Sequence, residues 1–171
     1  MKRYVIKIQY NSPVVLTFAL LALGALGLGI LTDGDTTMRY FSVYRAPLTD
    51  PLTWLRFFTH VLGHADYNHY IGNMLLILVV GPPLEEKYGS RSLLLAIVIT
   101  ALVSGLVQFI FFPGVALLGA SGIVFMMIVM SSLAGMKSRC IPLTPIFVVV
   151  FYLGGEIVAG LFSPDNVSQL T

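Results

Sequence analysis

The chain has 171 residues, of which 57% are hydrophobic and only 11% are charged, and its mean hydropathy is +0.88. A soluble domain carries about 25% charged residues, so this chain has too few polar groups to cover a water-exposed surface. The composition argues against a disordered chain and a nucleic-acid binder, and the single Cys140 excludes an internal disulfide. We therefore expect one integral membrane domain over residues 1–171.

Apolar stretches between the charged residues divide the chain into spans, since a membrane helix needs about 20 mostly apolar residues. The first stretch follows Pro13, which a helix start tolerates, and no small-residue cleavage pattern after Leu31 marks it as a signal peptide. A longer uncharged run is broken into two spans at Pro113 and Gly114. We predict five membrane helices, near residues 13–31, 61–80, 92–112, 120–136 and 143–162.

The segment 32–58, between the first two spans, is long, polar and rich in aromatic residues. Aromatic side chains favour the membrane interface, so we expect this segment to lie there rather than to be disordered. Lysine and arginine residues collect on the cytoplasmic side of membrane proteins. If the N-terminus of this chain is cytoplasmic, most of its lysines and arginines lie in the cytoplasmic connections. We predict a cytoplasmic N-terminus, an extracytoplasmic loop at 32–58 and a plasma (inner) membrane location.

Polar side chains concentrate in the second predicted span. His69 and Asn73 are four residues apart and share a helix face, so together they can donate hydrogen bonds to an oxyanion. The alternative is interhelical hydrogen bonding, which the second span taken alone favours. His60 and His64 are also four apart, but their ligand set is incomplete, and we predict no metal site.

A serine follows the break after the third span, in the sequence Gly119-Ala120-Ser121-Gly122. We expect Ser121 in the first turn of a helix, where backbone N–H groups lack intrahelical acceptors and the helix dipole is positive. A serine there can act as a nucleophile whose own N–H stabilises the oxyanion. The alternative is an ordinary helix-capping serine.

The accompanying motifs make the pattern specific. From Trp54 onward the chain reads Trp54-x-Arg56, His64-x4-His69-x3-Asn73, Gly81-x3-Glu85-x3-Gly89, Ser104-Gly105-x2-Gln108 and then Gly119-Ala120-Ser121-Gly122. This set, in this order, resembles the rhomboid family of intramembrane serine proteases.

The resemblance implies an all-α, rhomboid-like helical bundle that cleaves membrane-anchored or transmembrane proteins in the bilayer, without a cofactor and without nucleic acid. It implies Ser121 as nucleophile, with His69, Asn73 and the backbone N–H of Ser121 as oxyanion donors. Supporting positions implied by the family pattern are Trp54 and Arg56 in the first loop, His64, Glu85, Gln108 and Phe125.

A serine hydroxyl also needs a base, which rhomboids carry as a histidine on a sixth span. This sequence has five predicted spans, and His60, His64 and His69 are poor substitutes, so we expect the 171-residue chain to be inactive by itself. Two other functions remain open. One is a rhomboid-like pseudoenzyme that binds membrane proteins or serves quality control, and the other is a small channel or transporter subunit, which Glu156 and the intramembrane histidines would suit.

Overall fold

The computed structural model describes residues 10–134, together with four residues further along. Those four, Leu143, Ile146, Phe147 and Val150, are helical, and the rest of the predicted span 143–162 lies outside the described residues, as does Glu156. The all-α fold expected from the sequence is confirmed. The helices are α1 (Pro13–Leu31), α2 (Asp35–Tyr40), α3 (Pro51–Thr59), α4 (Tyr67–Tyr88), α5 (Ser90–Phe111) and α6 (Ser121–Ala134).

Helices α1 and α5 are each long and apolar enough to cross a membrane. Helix α1 begins at Pro13, whose fixed backbone angle suits the first helical position, and its limits coincide with the predicted span 13–31. Helix α5 lies within two residues of the predicted span 92–112 at each end. Helix α6 falls inside the predicted span 120–136.

The start of α4 differs from the predicted span 61–80. The helix begins at Tyr67, because the carboxylate of Asp66 accepts a hydrogen bond from the backbone N–H of His69 at 2.8 Å and caps the first turn. Residues His60–Leu62 form a separate 3₁₀ turn. The connection between α3 and α4 is therefore irregular, where the hydropathy pattern alone favours membrane helix.

The end of α4 also differs, since the helix passes through Pro82 and Pro83 and continues to Tyr88. Each proline removes a backbone donor, a cost that tertiary packing can offset. Helix α1 lies very close at this level, because a β-carbon placed on Gly81 would be 2.7 Å from the side chain of Val15. The close α1–α4 contact favours continuation of the helix past residue 80.

Glu85 fastens three helices to one another. This buried carboxylate accepts hydrogen bonds from the backbone N–H groups of Val14 at 2.9 Å and Val15 at 3.1 Å, and from the hydroxyl of Ser90 at 2.7 Å. The first N–H groups of a helix have no intrahelical acceptor, so Glu85 caps α1 from a neighbouring helix. The carboxylate thereby joins the C-terminal turns of α4 to the starts of α1 and α5.

The segment 32–58, predicted as a loop, contains α2 and α3. Arg56 is buried within it, where its Nε donates to the carbonyl of Arg39 at 2.9 Å and its guanidinium lies over the ring of Tyr44 at 4.4 Å. The indole of Trp54 donates to the carbonyl of Leu48 at 2.9 Å. Both side chains therefore stabilise the folded conformation of this segment.

Helix α4 packs against both α1 and α6, and α5 packs against α3. Side chains from the four long helices meet in one continuous apolar core, which places the N-terminal turn of α6 beside the N-terminal turns of α4. Its most deeply buried members include Val15, Ala22, Ile77, Leu84, Leu93 and Ile123.

Candidate functional site

Ser121 is the first residue of α6, as the sequence predicted. The backbone N–H of Val124 donates to the carbonyl of Ala120 at 2.9 Å, so the helical hydrogen bonding begins directly beside the serine. The turn before it requires Gly119, whose φ of +118° is a conformation that residues with a β-carbon rarely adopt. Ser121 thus lies at the positive end of the helix dipole.

Gly119 brings the serine turn against the polar face of α4. A β-carbon built on Gly119 would lie 2.8 Å from both Cε1 and Nε2 of His69, and 3.9 Å from Nδ2 of Asn73. Only a residue without a side chain permits this approach. The imidazole and amide nitrogens expected to be oxyanion donors therefore lie next to the turn that carries Ser121.

Asn73 distinguishes between the two interpretations of these polar residues. Its side chain is buried, and its Nδ2 has no hydrogen-bond partner among the residues that the structure describes. A residue whose purpose is to join helices would use its amide hydrogens for that bond. An unused, buried amide donor costs free energy unless a ligand or a transition state engages it. This geometry favours a donor role.

The turn before Ser121 is tied to both preceding connections. The backbone N–H of Gly119 donates to the carbonyl of His60 at 2.9 Å. Val43 and Leu117 exchange two backbone hydrogen bonds of 2.8 Å, which form an isolated antiparallel bridge. The folded segment 32–58 and the α3–α4 connection therefore hold the serine turn in place.

Gln108 supports the same turn from α5. Its side-chain amide donates to the carbonyl of Val115 at 2.8 Å and to that of Phe112 at 3.3 Å. Phe125 lies one turn past the serine and lines an apolar groove of about 500 Å³ between α5 and α6. Gln108 thus braces the α5–α6 connection, and Phe125 faces the groove beside the serine helix.

The other two histidines are buried in the α3–α4 connection, outside the membrane-spanning helices. The Nε2 of His60 lies 3.0 Å from the carbonyl of Ala101, and the Nδ1 of His64 lies 3.1 Å from that of Leu62. Burial lowers the pKa of His60, and it lowers the pKa of His64 to about 4. Both imidazoles are neutral at pH 7. Within the described part of the chain, no three potential metal ligands cluster.

The arrangement brings together Ser121, His69 and Asn73, while Trp54, Arg56 and Glu85 act on the surrounding framework. Two contacts at the site were not foreseen from sequence, namely the bridge between Val43 and Leu117 and the approach of Gly119 to the imidazole. The motif glycine carried a signal for the second, because a glycine beside a candidate nucleophile often permits close backbone approach. No sequence pattern marked the bridge.

Comparison with known proteins identifies a Rhomboid domain over residues 51–171. Rhomboid-like protein 11, chloroplastic, of Arabidopsis thaliana is 33% identical over 85 residues, which cover 49% of this chain and 30% of that protein. Rhomboid-related protein 2 of Mus musculus is 35% identical over 86 residues, covering 46% and 28%. Rhomboid protease GlpG of Enterobacter sp. (strain 638) is 39% identical over 70 residues, covering 41% and 25%. The matched part therefore spans less than a third of each relative.

Proposed function

This chain belongs to the rhomboid family and is an integral membrane protein, and on that premise we propose that it is an intramembrane serine endopeptidase. Its substrates are transmembrane or membrane-anchored proteins, and Ser121 is the nucleophile. The observation that carries the proposal is the convergence of His69 and Asn73 on the glycine turn of Ser121, where Nδ2 of Asn73 has no hydrogen-bond partner within residues 10–134.

In the proposed reaction, Oγ of Ser121 attacks the carbonyl carbon of the scissile peptide bond as its proton passes to a base. The carbonyl oxygen becomes an oxyanion that accepts hydrogen bonds from His69, Asn73 and the backbone N–H of Ser121. The C–N bond then breaks, and the leaving amine takes the proton. Water hydrolyses the acyl-enzyme and restores the serine. Loss of one oxyanion donor from such a set lowers kcat by about 10²–10³.

The proposal assigns the base to a residue outside the described part of the chain. His69 is engaged as a donor, while His60 and His64 are held in the α3–α4 connection by backbone carbonyls. Burial lowers the pKa of both imidazoles, which makes each a weaker base, so we assign neither of them to take the serine proton. The rhomboid resemblance indicates a histidine on a further span.

The proposed orientation places the N-terminus in the cytoplasm and the segment 32–58 outside, in a plasma (inner) membrane. The serine turn, the bridge to Val43 and the start of α4 then share the extracytoplasmic end of the bundle. Water would reach Ser121 from that side.

A fluorophosphonate probe tests the proposal on the protein made from its complete gene, in proteoliposomes. We expect the probe to label the wild type, and Ser121→Ala to abolish both the labelling and the cleavage of a transmembrane test substrate. Ser104→Ala is the matched control, because the Ser104 hydroxyl donates to the carbonyl of Thr100 at 2.7 Å within α5. Labelling that persists in Ser121→Ala would identify another nucleophile and refute the assignment.

A further inference from the structure

His69 has two close neighbours. The backbone of Gly119 lies against Cε1 and Nε2, close enough that no side chain fits between them. The imidazole of His64 makes a T-shaped contact with the His69 ring, with ring centroids 5.0 Å apart and an interplanar angle of 67°. His69 itself is only half-buried, so packing by these neighbours fixes its ring more than general burial does.

His64 is itself firmly held. It is 1% exposed, its Nδ1 is 3.1 Å from the carbonyl of Leu62, and it makes a second T-shaped contact with Tyr70 at 5.5 Å. The hydroxyl of Tyr70 donates to the carbonyl of Ala19 in α1 at 3.1 Å. A chain of contacts therefore runs from α1 through Tyr70 and His64 to His69.

The protonation state of His64 suits this role. Burial lowers its pKa most, the hydrogen bond to the Leu62 carbonyl opposes that shift, and smaller effects of His69, which lowers it, and Asp66, which raises it, leave the pKa at about 4. Asp33 lines the same cavity beside His64, but the ring remains neutral near pH 7. A neutral imidazole whose Nδ1 faces a carbonyl makes the T-shaped contact with His69 without placing a positive charge of its own beside the oxyanion donors.

We propose that His64 is a positioning residue that sets the ring orientation of His69 through edge-to-face contact, so that the imidazole N–H points at the developing oxyanion. This inference rests on the proposed protease function. Its physical content is separate, however, because the orientation of His69 can be observed without turnover. Aromatic pairs of this geometry contribute about 0.5–1.5 kcal/mol beyond their buried area. A contact of that size suffices to favour one ring orientation about twofold to thirteenfold.

The test compares three variants of the protein as it exists, each labelled with ¹⁵N-histidine. His64→Phe keeps an aromatic ring, whereas His64→Ala and His64→Gln remove it. His64→Gln retains polar atoms and serves as the ring-less variant if His64→Ala does not fold. We expect one sharp tautomer signal for His69 in the wild type and in His64→Phe. In the Ala or Gln variant we expect that signal to broaden or split.

Turnover on a transmembrane test substrate gives a second readout. We expect kcat to fall about twofold to tenfold in the ring-less variants with KM unchanged, and His64→Phe to recover most of that loss. An unchanged His69 signal in the ring-less variants would overturn the proposal. So would a His64→Phe variant as disturbed as the ring-less ones. A wild type without any turnover refutes the protease function instead, and the NMR comparison still decides the role of His64.

Discussion

Replacing Gly119 by alanine perturbs the site at its narrowest point. The new β-carbon would lie 2.8 Å from Nε2 of His69, so the imidazole must move by about 0.7 Å to restore an ordinary contact of about 3.5 Å. The φ of +118° at this position adds about 1–3 kcal/mol of backbone strain for a residue with a side chain. We therefore expect Gly119→Ala to lower the free energy of unfolding by about 1–3 kcal/mol.

The larger effect of Gly119→Ala is expected on catalysis, because the displaced imidazole is a proposed oxyanion donor. Loss of one donor corresponds to a fall in kcat of about 10²–10³, or about 2.7–4 kcal/mol of transition-state stabilisation. Turnover of a transmembrane substrate in proteoliposomes measures kcat, and circular dichroism in detergent micelles measures unfolding. Two independent measurements thus separate loss of fold from loss of donor geometry.

Gly114→Ala is the matched control, since it lies in the same connection between α5 and α6. A β-carbon on Gly114 would meet no atom within 4 Å, and Gly114 is not among the glycines with positive φ. We expect this variant to change the free energy of unfolding by less than about 0.5 kcal/mol and to keep its turnover. If Gly119→Ala turns over like the wild type, the placement of His69 as a donor beside this turn is refuted.

Three further predictions concern the framework. Glu85→Gln should lower the free energy of chemical unfolding by about 1.5–3 kcal/mol, because the new amide group would face a backbone N–H that the carboxylate now accepts. The same substitution at the exposed Glu86 should leave the free energy of unfolding unchanged. Asp66→Ala should lower the free energy of unfolding by about 1 kcal/mol and should also lower kcat, because it removes the cap of the turn that carries His69. An unchanged kcat would contradict the link between this cap and the position of His69. His64 binds a proton more readily in the unfolded chain, because burial lowers its pKa in the folded protein. The free energy of unfolding should therefore fall as the pH drops from 6.5 towards 4, and this fall should be less steep in His64→Phe. Equal slopes in the two proteins would refute the prediction.

The sequence predicted the parts of the fold that depend on composition and local chemistry. The limits of α1 follow from Pro13 and from an unbroken apolar run, and the pairing of His69 with Asn73 follows from helical spacing. The glycine-flanked Ser121 lies at a helix start for the same local reasons. These features require no knowledge of distant contacts.

Other features depend on tertiary contacts and were therefore misjudged or missed. Helix α4 continues past Pro82 because Gly81 allows close packing against α1, which single-sequence hydropathy cannot register. The bridge between Val43 and Leu117 joins residues far apart in the chain. Backbone hydrogen bonds of this kind leave no side-chain pattern, so the tether of the serine turn became visible only in three dimensions.

The α3–α4 connection controls both halves of the candidate site. At its start, the carbonyl of His60 accepts a hydrogen bond from the N–H of Gly119. In its middle, the ring of His64 makes a T-shaped contact with His69. Its last residue, Asp66, caps the helical turn that carries His69. Gly63 packs directly against the carbonyl of Phe41, which anchors the connection to the segment 32–58. A continuous helix from residue 61 would break the N–H bond to His60 and the Asp66 cap together. The irregular conformation of this connection is therefore what brings the serine turn and its donors to one place.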